Sequence, residues 1–385
     1  MVTAAQSPPL PRAGRLRHLG PNWYACVMGT AVVGSAGVAL PGPAQGPRGA
    51  FAAVWALSLL LLVTLLAARA VHWSRHRDQA RAHLFDPATA PFYGCLAMAL
   101  LAVGGGALTA GRGLIGTRVA VALDAVLFTT GTAAGLGAAV AVPYLMAVRH
   151  RAEAAQATPV WLLPLVAPMV SAALGPLLVP YLPPGQPRET LLLACFALFG
   201  LSLLAVLLML PLVFARLVTT GPLPLALTPT LFLVLGPLGQ STTAVALIAD
   251  AAPGVVPPPY DRGLGVFAVL YGVPVMGFAL LWLGLATAHV VRARRRGMGF
   301  TLSWWAFTFP VGTCVTGAAA LARHTGLAVY GALAVGLYGV LVAAWLAAAR
   351  GTVRGLLSGE LLAAPRPAPV VLPSGTGRTT SGAVR

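Results

Sequence analysis

VWLLPLVAPMVSAALGPLLVPY, residues 160–181, is followed by TLLLACFALFGLSLLAVLLMLPLVFAR, residues 190–216. Each run exceeds the ~20 consecutive apolar residues that an α-helix needs to cross a bilayer. Their contents differ. The first carries Pro164, Pro168, Ser171, Gly175 and Pro176 at membrane depth, whereas the second is mostly Leu, Ala and Val, as a lipid-facing helix is. A mid-membrane proline removes a donor and frees a carbonyl, which hydrocarbon tolerates only where protein or water satisfies it. The pair therefore reads as a hairpin of one interior helix and one peripheral helix.

The rest of the chain repeats this reading. Ten apolar runs lie near 22–41, 51–72, 92–111, 119–147, 160–181, 190–216, 225–249, 265–291, 302–322 and 328–349. Of the 385 residues, 58% are hydrophobic and 9% charged, against about 25% charge in a soluble domain, so a soluble globular enzyme is excluded. The expected fold is all-α and integral to the membrane, with ten transmembrane helices arranged as five hairpins. Residues 1–21 form an N-terminal tail without the apolar core of a signal peptide. Residues 22–350 form the membrane domain. Residues 351–385 form a second tail, expected to be largely disordered from about 364, where Pro, Ser, Thr and Gly dominate.

Charge sets the expected orientation. All 25 basic residues are Arg; nineteen lie in the tails and even-numbered loops, and six in the odd-numbered loops. Cytoplasmic loops retain positive charge, so both termini are expected in the cytoplasm and the membrane is expected to be the plasma membrane. The Arg residues form no basic domain, and no nucleic-acid partner is implied. Cys26, Cys95, Cys195 and Cys314 lie singly in apolar runs and read as small core residues.

The odd-numbered runs share a composition. Run 1 has Thr30, Gly34 and Ser35; run 3 has Gly104, Gly105 and Gly106; run 7 has Gly236, Pro237, Gln240, Ser241 and Thr242; run 9 has Thr308, Pro310, Gly312, Thr313 and Thr316. Runs 4 and 8 blur the contrast with Thr129, Gly131, Pro143 and Pro274. Small residues also serve close helix packing, and that reading stands for any single glycine. The five odd runs together point to a pore ringed by five inner helices, with kinks at Pro164, Pro168, Pro237 and Pro310.

Five stretches opening or crossing the odd runs carry a resemblance. They are PNWYACVMGTAVVG (21–34), FYGCLAMALLAVGGGAL (92–108), WLLPLVAPMVSAALGP (161–176), GPLGQSTTA (236–244) and FTLSWWAFTFPVGT (300–313). Together they resemble the tellurite-resistance/dicarboxylate transporter family, which includes plant slow anion channels and yeast malate and sulfite transporters. The resemblance implies five hairpins around a narrow central pore in each protomer, commonly a homotrimer, and an aromatic plug from the ninth helix. It implies small anions as substrates: chloride, nitrate, malate and other C4-dicarboxylates, sulfite, or tellurite-type oxyanions.

The pathway read from the residues is uncharged at its centre. Hydroxyl and amide donors at Thr30, Ser35, Ser171, Gln240, Ser241, Thr242, Thr313 and Thr316 are candidate pore-lining groups, with Gly312 beside them. Each hydroxyl has an alternative use, a bond to its own helix backbone. Helical phase puts Phe309 over Gly312, Thr313 and Thr316 and sets Phe307 on another face, so Phe309 is the expected gate and Phe307 the alternative. Asp124 is the one well-buried acid, an interhelical hydrogen-bonding group or a proton relay. The His residues sit at run ends, the chain lacks paired acids and nucleophile–base pairs at membrane depth, and no Lys exists to complete a phosphate loop. No enzyme, metal site or cofactor is expected. The function expected is an anion channel or facilitator, with a proton-coupled C4-dicarboxylate, sulfite or tellurite-type carrier as the alternative and a non-transporting scaffold as the distant one.

Overall fold

A computed structural model describes residues 16–42, 47–150 and 153–362, and the tail expected to be disordered from about 364 lies outside them. The described residues are helical with no strand. The long helices are α1 (Tyr24–Ala39), α2 (Arg48–Arg75), α4 (Tyr93–Gly106), α5 (Thr117–Leu145) and α6 (Leu163–Leu174), with a short α3 (Arg77–Phe85) after α2. They continue with α7 (Gln186–Thr220), α8 (Leu235–Ala251), α9 (Tyr260–Arg295), α10 (Phe309–Thr325) and α11 (Ala328–Leu357).

Among the described residues, nine spans are long and apolar enough to cross a membrane. The remaining one of the ten expected, α1, is 16 residues long. With the 3₁₀ turn Pro21–Trp23 ahead of it, it reaches about 30 Å, the thickness of a hydrocarbon core. The last helix continues to Leu357, past the boundary expected at 350.

Each inner helix opens in the same way. The 3₁₀ segments Pro21–Trp23, Ala90–Phe92, Pro159–Leu162, Leu225–Val234 and Leu302–Phe307 lead into α1, α4, α6, α8 and α10. Pro164, Pro237 and Pro310 stand in the first turn of their α-helices, where the missing N–H leaves no intrahelical bond unmade. These three prolines mark the junction from 3₁₀ to α register. Pro168 alone of the four lies inside its α-helix. Its neighbouring carbonyl, Leu165 O, accepts a hydrogen bond from Ser202 Oγ of α7 at 2.6 Å.

The inner helices pack on one another in a closed ring: α1 on α4, α4 on α6, α6 on α8, α8 on α10 and α10 back on α1. Outside it, α5 bridges α4 and α6, α7 bridges α6 and α8, α9 bridges α8 and α10, and α11 bridges α10 and α1. An outer helix buries one stripe. On α2 the stripe is Phe51, Trp55, Ser58, Leu62, Leu65, Arg69 and His72, alternating steps of three and four along one helical face. Outer-helix indoles reach inward to backbone carbonyls: Trp55 Nε1 donates to Val103 O at 3.0 Å and Trp282 Nε1 to Leu231 O at 2.9 Å. One close inner contact is between α8 and α10, where a Cβ on Gly239 would overlap the backbone of Thr313 and Cys314.

At the Arg-rich end, α2 runs three residues past the span expected at 51–72 and buries Arg69, which is 5% exposed. Its guanidinium donates to Leu19 O at 2.6 Å and to the Tyr93 hydroxyl at 3.2 Å, tying the N-terminal segment to the start of α4. His72 stacks on His83 of α3 at 5.6 Å. Burial first, then the Arg69 and His18 charges, push the His83 imidazole below its ordinary value against the opposing pull of Asp86.

Candidate anion pathway

Two cavities lie inside the ring, and every inner span lines both. The larger, about 250 Å³, is walled by Asn22 and Met28 of span 1, Phe92 and Cys95 of span 3, and Leu163 of span 5. Ala226 and Leu233 of span 7 and Thr301 and Ala306 of span 9 complete it. The smaller, about 140 Å³, is walled by Val32 and Ser35 of α1, Ala102 and Thr109 of span 3, and Val170 and Leu177 of span 5. Gln240, Thr243 and Leu247 of α8 and Phe309, Thr316, Ala320 and Arg323 of α10 close it. One cavity takes the N-terminal part of each inner span and the other the C-terminal part, so the five run parallel. Between Met28 and Val32 the separation is four residues, about 6 Å of helix. The path is two vestibules facing each other across one to two helical turns.

Phe309 stands at that division. It is the first residue of α10, is 4% exposed and lines the smaller vestibule. Phe307 lines neither; its ring packs edge-on against Phe232 at 4.8 Å and lies 5.8 Å from Trp304.

The remaining candidates divide. Ser35, Gln240 and Thr316 line the smaller vestibule. Thr30 faces the other way, donating to Cys26 O at 2.7 Å and accepting from Trp345 Nε1 of α11 at 3.1 Å. Ser171 accepts from Thr132 of α5 at 2.9 Å. Ser241 and Thr242 each donate to Leu238 O at 3.0 Å, and Thr313 donates to Pro310 O at 2.7 Å. Gly312 abuts Val32 of α1 so closely that a side chain there would collide with it. These six lie at helix contacts, where hydroxyls return to carbonyls of their own helix and a glycine lets helices approach.

Two hydroxyls outside the expected pore-lining set join the vestibule wall. Thr243 follows Gln240 by three residues and shares its face, and its Oγ1 is 2.8 Å from Thr316 Oγ1. Helical phase from Gln240 points to it. Thr109 lies in the π-helical stretch Ala107–Gly111, whose register no spacing rule anticipates; its Oγ1 donates to Ser35 Oγ at 3.4 Å. Asp124 of α5 lines neither cavity. It is 1% exposed, abuts Gly104, and its Oδ2 has no hydrogen-bond partner among the described residues.

Charge enters the path at the end away from the Arg-rich loops. Arg323 lines the smaller vestibule and donates to Asp250 Oδ2 at 3.1 Å. His324 Nε2 lies 2.9 Å from Asp250 Oδ1, off the line a hydrogen bond requires.

Five buried parallel helices around an axial path, sheathed by peripheral apolar helices, define a channel-like membrane protein. The voltage-dependent anion channel family matches residues 18–353, and the chain belongs to that family, whose members are transporters and channels. An uncharacterised transporter of Methanocaldococcus jannaschii is 24% identical over 349 residues, 90% of this chain and 96% of that one. A sulfite efflux pump of Arthroderma otae is 28% identical over 53% of this chain and 56% of its own. A second, from Trichophyton rubrum, is 30% identical over 46% of this chain and 48% of its own. The resemblance carried by the five odd-span motifs is thereby confirmed.

Proposed function

We propose that the chain is a channel or facilitator that passes small anions along the axis of its five inner helices, with Phe309 as the constriction. The observation that carries this reading is that both vestibules are walled by all five inner spans, with Phe309 at their division. The middle of the path offers hydroxyl and amide donors, Ser35, Thr109, Gln240, Thr243 and Thr316, without fixed charge. Such donors bind an anion weakly enough to release it, and an apolar ring across a narrow path holds it closed by dewetting.

A second reading is a carrier for sulfite, a C4-dicarboxylate or a tellurite-type oxyanion, coupled to protons. It is favoured by the two relatives that bear the name of sulfite efflux pumps. Uptake of chloride, nitrate, malate, sulfite and tellurite into proteoliposomes, with and without a pH gradient, separates the two. Flux without the gradient supports the channel; flux that requires it supports the carrier; none for any anion refutes both.

The working form is a homotrimer in the plasma membrane, each protomer with its own path, both termini cytoplasmic. In intact cells a cysteine placed at Pro184 is labelled from outside and one at Arg77 is not. The reverse pattern would invert the assignment of mouths.

A further inference from the structure

We infer that Arg323, held by Asp250, is an anion-binding station at the mouth of the smaller vestibule. The inference rests on the axial path proposed above and adds a capture site to it. Among the described residues lining either vestibule, Arg323 is the one that carries charge. Its need follows from the fold. Because the inner spans run parallel, five helix C-termini converge on this mouth, and the carbonyl end of a helix dipole repels anions. A guanidinium in the last turn of α10 offsets part of that negative field at the vestibule wall.

The surroundings extend the basic character. Thr109 is shared between the vestibule and an adjoining cleft of about 650 Å³ that Arg48 and Arg112 line. Arg48 and Arg112 thus add positive charge in the cleft beside the mouth.

Asp250 makes the station releasable. Its carboxylate takes Arg323 on Oδ2 and stands beside His324 on Oδ1, which fixes the guanidinium at the vestibule wall. Both partners are nearly half exposed, 47% and 43%, and an exposed ion pair is weak. A passing anion can therefore share the guanidinium's free donors without first breaking a strong bond. The ligand class is a small, compact anion; an oxyanion such as pyramidal sulfite, which can offer two oxygens to the fork of donors, fits better than a monatomic ion.

The test measures binding and uptake separately on the full-length chain. Binding is read as the sulfite or chloride concentration giving half-maximal thermal stabilisation of the purified protein; uptake of the same anions is measured in proteoliposomes. Arg323→Gln should raise the half-maximal sulfite concentration about tenfold, the low end of electrostatic focusing in a cleft. Asp250→Asn, which leaves the guanidinium uncompensated, should lower it by roughly threefold to tenfold. Arg323→Lys should fall between wild type and Arg323→Gln, because it keeps the charge and loses the fork. Arg118→Gln, an equal charge change on exposed α5 at the same end, should bind as wild type does. No stabilisation of wild type by either anion overturns the station, as does a wild-type midpoint for Arg323→Gln or an increase with Asp250→Asn. If binding follows these shifts while no variant and no wild type passes anions, the station stands and the transport reading fails. If wild type passes anions and Arg323→Gln changes neither midpoint nor uptake, transport stands and the station fails.

Discussion

Spans Ala90–Ile115 and Thr117–Arg149 are consecutive, are of comparable length and have the same mean hydropathy, 1.7. In the first, 78% of the most apolar stretch is buried inside the protein; in the second, 17%. The same division separates the other pairs, with Pro159–Tyr181 at 89% against Gln186–Thr220 at 28% and Leu302–Thr325 at 83% against Ala328–Leu357 at 22%. Hydrophobicity does not sort a helix to the inside of a membrane protein, because lipid tails are as apolar as leucine. What sorts it is the ability to pack on every side. Glycines at 94, 104, 105 and 106 let α4 accept close neighbours all round, while α5 turns one stripe inward through Ala120, Asp124, Gly131, Gly135, Ala138 and Val142. On α5 the inward positions are mostly small, whereas α4 also buries Met98, Leu100, Leu101 and Val103, so its glycines make room for neighbours on every side.

That contrast can be broken most decisively at the path itself. On the proposal that Phe309 is the constriction, Phe309→Ala should increase anion uptake on the order of tenfold or more, because an apolar ring that holds the path dry is removed. Phe307→Ala removes packing against Phe232 and Trp304 and should lower folded yield, the usual result of a large-to-small change costing about 3 to 5 kcal/mol in a core. If the two outcomes are exchanged, the division of faces on span 9 is wrong; if both variants lose yield without gaining flux, the span carries no gate.

Glycine substitution sharpens the comparison with opposite signs. Gly239→Ala on inner α8 meets the α10 backbone and should destabilise by about 1 to 3 kcal/mol through overpacking. Gly200→Ala on outer α7 meets nothing within 4 Å and should be neutral or stabilising by about 0.5 to 1 kcal/mol. Thermal unfolding in detergent measures both, and equal shifts would mean that inner and outer packing do not differ.

The seam between the two layers is tested by Trp282→Phe, which leaves Leu231 O without the indole donor. A loss of about 1 to 3 kcal/mol is expected in the same unfolding measurement. An unchanged midpoint would show that the 3₁₀ backbone satisfies that carbonyl alone.

The smallest effect lies outside the spans. The folded state holds His83 neutral by depressing its titration, so its contribution is complete above the value of a free imidazole and is lost as pH falls through the folded one. The groups facing it are Arg69, His72, His18, Gln79 and Asp86. Thermal stability should fall as the pH drops below about 6.5, the ordinary imidazole value, and His83→Gln should flatten that slope. An identical slope in the variant would remove His83 as its source.

Much of this was written in the chain. The long apolar runs, their alternation of Pro, Gly and hydroxyl content with plain Leu and Ala, and the phase that separates Phe309 from Phe307 are local properties, legible because a helix has one period and a membrane one thickness. The site was legible only in part. Ser35, Gln240 and Thr316 line the vestibule, whereas Thr30, Ser171, Ser241, Thr242 and Thr313 meet neighbouring helices or their own backbone, and nothing in a serine or threonine codon states which.

The tertiary structure decided what depends on register between helices. It buried Arg69, near the end of the apolar run 51–72, as a tether for Leu19 and Tyr93. It added Thr109 through a π-helical shift that rotates the end of span 3, and it brought Arg323 of α10 beside Asp250 of α8, 73 residues earlier. Sequence determines each helix and its faces because those follow from neighbours within one or two turns. Which face meets the axis follows from the mutual fit of five inner helices closed into a ring and of the outer helices packed on them, a property that no single helix possesses.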